Sequence, residues 1–162
     1  VEAVLPVLAK YDYDPPKCAD DGYSEFYARL IEPLRPIFGT YTLADARQIT
    51  RVLWDAYEVG PEGTEGSEQR RRHDALFFVA NTLDDFSIFA RSGSLEDAQA
   101  RLKTITNFLA ESSTGDGWTR RALSLVADDL ERLATGAMAQ SERFADWQPN
   151  LDEIKSGGED SL

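Results

Sequence analysis

The sequence carries one cysteine, one histidine and one methionine in 162 residues. A lone Cys18 cannot close an internal disulfide or build a CxxC metal site. It fits a reducing compartment, so a cytoplasmic location is expected. No apolar run approaches the ~18 residues that a membrane span needs. Basic residues are scarce, 17 against 29 acidic ones, and the net charge is −12. That balance excludes a binder of the nucleic-acid phosphate backbone, which needs a basic footprint. It also disfavours an anionic membrane surface. A basic protein partner is compatible with it.

What the chain does contain is apolar and aromatic. Hydrophobic residues make up 42%, with 8 Phe, 6 Tyr and 3 Trp, enough for the core of a single domain. The acidity is concentrated at the ends, with a net charge of −4 over residues 1–25 and again over 142–162.

The most apolar stretch is 74–90, DALFFVANTLDDFSIFA. At helical spacing Leu76, Val79, Leu83 and Phe86 share one stripe, but apolar residues also begin and end the neighbouring stripes. A helix that is apolar over more than half its circumference belongs at the centre of a bundle. Ser67 is its expected cap, and Gly93 ends it. Thr42 with Asp45 predicts the start of an earlier helix reaching about Val59, and Ser94 with Asp97 the start of a later one. That later helix has the most regular apolar spacing in the chain, with Leu95, Ala98, Leu102, Ile105 and Leu109 three and four residues apart. A last helix, capped by Asp116, is expected to pass Gly136 with a bend and to run toward Phe144 and Trp147, with Pro149 as its stop. Over 23–38 a further helical face carries Pro33 and Pro36, which predict a kink or break near Glu32. A short helix over 1–10 precedes it, then a loop. The fold expected is all-α: one domain over 1–148, a bundle of about five or six mostly antiparallel helices with an acidic N-terminal extension, and a disordered acidic tail over 149–162.

Few residues carry chemistry. His73-Asp74 has the form of the HD pair of metal phosphohydrolases, but that chemistry needs further histidines, as does a di-iron bundle site. No serine, nor Cys18, sits in a nucleophile-elbow pattern. The set of candidate catalytic residues is empty, and no cofactor is expected. Two acidic pairs, Asp84-Asp85 and Asp128-Asp129, would lie at comparable heights if the central and last helices run the same way. Four carboxylates at one level can hold a divalent cation, which defines an alternative reading as a metal-dependent hydrolase. Against it, adjacent residues on a helix point ~100° apart. Salt bridges to Arg101, Arg47 or Arg51 are the simpler fate.

The reading preferred from sequence is a non-catalytic protein–protein interaction module: an inhibitor, an immunity-type protein or an adaptor for a basic partner. Candidate contact residues are Asp12, Asp14, Asp20 and Asp21 in the acidic extension, the run Arg70-Arg71-Arg72, and Trp147, expected to be partly exposed near the end of the last helix.

Overall fold

A computed structural model of the chain describes residues 31–111 and 117–149. The expectations for Asp12, Asp14, Asp20, Asp21, Cys18, the Asp116 cap, the helix over 1–10 and the tail from 150 onward lie outside the described residues. Among the described residues the fold is all-helical: the helical residues 31–38 (α1), then α2 (Leu43–Val59), α3 (Glu68–Phe89), α4 (Leu95–Glu111) and α5 (Gly117–Thr135).

The caps form as the sequence predicts. Thr42 and Asp45 make a reciprocal capping box at α2. Ser67 accepts from the Arg70 N–H at 3.1 Å at the start of α3, and Ser94 accepts from the Asp97 N–H at 3.1 Å at the start of α4. The central helix is α3. Its buried residues include Leu76, Val79, Leu83 and Phe86 on one stripe, Phe78 and Thr82 on the next, and Asp84, Ser87 and Ile88 on the third. Thr82 and Ser87 satisfy their hydroxyls by donating to the Phe78 and Asp84 carbonyls, both at 2.8 Å. The main core joins α1, α2 and α3. A smaller cluster of Ile88, Ile105 and Ala122 joins α3, α4 and α5.

Three expectations are corrected. Residues 31–38 stay helical through Pro33 and Pro36. Ile31, Leu34 and Phe38 of this segment are buried in the main core. Second, α5 ends instead of bending at Gly136, whose φ is +69°. The Gly136 N–H reaches the Leu133 carbonyl at 3.3 Å and the Ala137 N–H the Arg132 carbonyl at 2.9 Å. These are the two bonds of a Schellman motif, closed by the one residue type that enters the left-handed region freely.

The third correction follows from the second. Beyond Gly136 the chain turns back as a strap and pushes Phe144 and Trp147 into the main core. Trp147 is therefore only 3% exposed, and the contact surface expected of it is absent. The strap is stitched at several points. The Phe144 N–H donates to the Tyr41 carbonyl at 3.1 Å and the Ala145 N–H to that of Gly39 at 3.0 Å. The Arg35 guanidinium donates to the carbonyls of Phe144, Ala145 and Trp147. On the other side, a Cβ at Gly93 would lie 2.0 Å from the Ala139 carbonyl oxygen and 2.2 Å from the Ser141 nitrogen. Only glycine admits the strap at that distance.

Candidate functional site

The polar belt of α3 divides. Asp84 is buried and accepts from the Trp54 indole N–H of α2 at 2.8 Å. Asp85, ~100° further round the helix, is half-buried and makes no hydrogen bond or ion pair among the described residues. Burial, and then the neighbouring Asp84 charge, push its carboxyl up to about 7. The second acidic pair divides in the same way. Asp128 is exposed, whereas Asp129 is fully buried, with one oxygen on Arg101 of α4 and the other on Arg132.

The four carboxylates consequently do not assemble. Each pair sends one member inward, but Asp84 turns to α2 and Asp129 to α4. Among the described residues no three His, Cys, Asp or Glu side chains are gathered as metal ligands. The ion pair with Arg101 forms, but in the interior and not on the surface.

Asp85 makes the stability of the fold depend on pH. Its folded pKa of about 7 lies above the ~3.9 of an unfolded aspartate. Between those values the folded state holds more protons than the unfolded one, so this group makes stability fall as pH rises from ~4 to ~7. Above pH 7 its full cost is present. The linkage limit is ~4 kcal/mol, and solvent at its accessible edge reduces this to ~1–2 kcal/mol. Asp85→Asn removes the charge at constant shape. Its melting temperature should exceed that of the parent by several degrees at pH 8, and by clearly less at pH 5. An equal difference at both values would refute the buried-charge account.

Helix α4 carries the least expected feature. Its inward face is Asp97, Ala98, Arg101, Thr104 and Ile105, all buried. Asp97 accepts from the Ala44 N–H at 3.1 Å and from Ser141 of the strap. Thr104 meets Ser87 at 3.2 Å. Arg101 donates to the Ala90 carbonyl at the end of α3, and to the Leu125 carbonyl at 3.2 Å. Burial lowers the Arg101 pKa, and Asp129 opposes that shift. The leucines of the regular apolar stripe face outward: Leu95, Leu102 and Leu109 are 55%, 42% and 38% exposed. On α5 Leu123 and Leu130 are likewise 43% and 58% exposed.

Both leucine rows repeat every seven residues and sit ~100° round from Arg101 and Asp129, the residues through which the helices meet. The pairings Arg101–Asp129 and Ile105–Ala122 run the two helices antiparallel. Two antiparallel right-handed helices, each turned by the same angle from a shared contact, present those rows on the same side. Leu102 then falls between Leu123 and Leu130 in height. Beside the leucines stand Gln99, Thr106, Ala127 and Ala134, exposed and uncharged.

The arginine run is split as well. Arg70 pairs with Glu62 and Asp74, while Arg71 and Arg72 are exposed. Arg72 and His73 line a pocket of about 550 Å³ beside the α2–α3 connection, and the His73 ring lies 4.1 Å from that of Tyr57.

Two features escaped the sequence reading: the outward leucines, and the tie between Trp54 and Asp84. The signal for the first was the strict seven-residue repeat, which describes a narrow seam and not a core-facing stripe. Compared with known proteins, the chain matches no family model, no curated protein and no solved structure.

Proposed function

We propose that this chain is a non-catalytic interaction protein, an inhibitor, immunity-type protein or adaptor, that meets a protein partner through the leucine face of α4 and α5. One observation carries the reading: α4 buries Asp97, Arg101 and Thr104 while leaving Leu95, Leu102 and Leu109 to solvent. Burying a charged network and exposing a leucine row is costly for an isolated domain. The arrangement gains its reason when a partner covers the row. An apolar centre with polar surroundings is also the general anatomy of a protein interface. The net charge of −12 adds long-range attraction for a basic partner, felt mainly in the association rate. The acidic residues Asp12, Asp14, Asp20 and Asp21, and the exposed Arg71 and Arg72, remain further candidates for contact with the partner.

The test is affinity capture from a source-cell lysate with the parent chain and with Leu102→Glu/Leu130→Glu. Both leucines are largely exposed, so the double variant should melt within a few degrees of the parent. A stoichiometric partner should be retained by the parent and lost by the variant, a weakening of ~100-fold or more for two charges placed at an interface centre. A partner held equally by both proteins would sink the role given to this face, as would capture of none.

A further inference from the structure

A second concavity, of about 730 Å³, opens between α2, α3 and α4. It lies on the flank of α4 that carries Thr104 and Asn107, away from the leucines. We propose that it binds a small zwitterion with an aromatic body, of the free aromatic amino-acid type. The inference is independent of the leucine face and of any protein partner.

Three sets of groups on its wall carry the assignment. The first is cationic. Arg47 and Arg51 stand one turn apart on α2, and neither pairs with a carboxylate among the described residues. Like charges at that spacing repel, and this chain has 29 acidic side chains with which to relieve them. Arg47 is also half-buried, with its Nε enclosed and without a partner among the described residues, while one terminal nitrogen lies 2.7 Å from the Asn107 amide oxygen. Two guanidiniums one turn apart, one of them anchored and the other exposed at the pocket mouth, suit a carboxylate.

The second set is anionic. Asp55 and Glu58 line the same pocket further along α2, and they too pair with no cation among the described residues. Asp55 is one turn beyond Arg51, the spacing at which the two would ordinarily join. An α-amino acid carries both charges on one carbon, so it can answer Arg51 and Asp55 together. A plain anion would meet repulsion from Asp55 and Glu58.

The third set is aromatic. The Trp54 ring packs edge-on against Tyr57 and Phe77, with centroids 5.6 and 5.7 Å apart. Its indole N–H is anchored on Asp84, so the ring cannot swing in to fill the space. Phe77 remains 37% exposed. A ligand ring laid on this wall would gain the usual aromatic contacts.

The experiment is a ¹H–¹⁵N titration of the full chain, following the Trp54 indole signal, which is assigned by its loss in Trp54→Phe. The probes are L-phenylalanine, 3-phenylpropionate, which lacks the ammonium, and phenethylamine, which lacks the carboxylate. Phenylalanine should give a saturable shift, with each single-charge analogue at least ~10-fold weaker. Arg51→Gln, at an exposed position that leaves the fold intact, should weaken phenylalanine by ~10-fold or more. The proposal is overturned if phenylalanine gives no saturable shift up to ~20 mM. Equal affinity for 3-phenylpropionate would also overturn it, as would unchanged affinity in Arg51→Gln. So would tighter binding of an acidic peptide than of phenylalanine, which would make the pocket a protein contact.

Discussion

Arg101→Met is expected to lower the unfolding free energy by ~3–5 kcal/mol, the range for breaking one side of a buried ion pair. Arg101 is 1% exposed and Asp129 is 0% exposed, so removing the guanidinium leaves a carboxylate in the interior with Arg132 as its one remaining ion-pair partner among the described residues. It also strips the donor from the carbonyl of Ala90, the residue that caps the end of α3, and a buried acceptor without a donor adds its own cost. Urea unfolding followed by circular dichroism measures the loss directly. The double variant Arg101→Met/Asp129→Leu should recover most of it, because a buried pair replaced by apolar groups of similar size is often neutral. A loss below ~1 kcal/mol in the single variant would mean that Asp129 finds water or adequate compensation in Arg132, and that the pair is not structural.

The same pair decides which side of α4 faces inward. Rotation of α4 by ~100° about its axis would bury Leu95, Leu102 and Leu109 and carry Arg101 away from Asp129. For the described side chains, hydrophobicity alone favours the rotated helix, since each buried leucine is worth ~1.5–3 kcal/mol. Among the described residues the polar network opposes it: Arg101 on Asp129 and Ala90, Asp97 on Ala44 and Ser141, Thr104 on Ser87. Polar contacts of this kind specify register more than they add stability. The leucine face proposed for a partner is thus a consequence of the buried ions.

This is also where sequence pattern and structure part. The central helix was legible because α3 is apolar on every stripe, and Thr42, Ser67 and Ser94 announce their helices through local hydrogen bonds that need no tertiary context. The orientation of α4 was not legible. Its period was plain, but a period names a stripe without naming the side it faces, and the deciding contacts lie 28 and 44 residues away in sequence. The divided fate of each aspartate pair follows from helix geometry. Which member turns inward, and toward which helix, depends on Trp54 and Arg101. Trp147 was misjudged for a related reason. Once Gly136 is read as a bend, Phe144 and Trp147 become the exposed end of a long helix. Once Gly136 is the left-handed residue of a Schellman motif, they return to the core.

That return makes Phe144→Ala the second large effect. Phe144 is 0% exposed and packs edge-on against Phe38 and Phe86, with ring centroids at 6.1 and 5.2 Å. Trp147 shares the Phe86 contact at 5.5 Å. Truncating a phenylalanine in such a site costs ~3–5 kcal/mol, partly as lost transfer energy and partly as the cavity left behind. The strap can respond in two ways, and tryptophan emission distinguishes them. If it stays down, held by Arg35 and by the Gly93 contact, Trp147 remains in apolar surroundings, and one cooperative transition is seen at lower denaturant. If the cavity loosens the strap as a unit, emission shifts to the red before the helical signal is lost, a local opening ahead of global unfolding. Arg35→Met in the Phe144→Ala background tests the second case, because it removes the donors to the Phe144, Ala145 and Trp147 carbonyls without touching the ring cluster. A strap that acts as one unit would then open in native buffer. A Phe144→Ala loss below ~1 kcal/mol would show instead that the returning segment is an accessory to the core, and that α1 to α5 hold together without it.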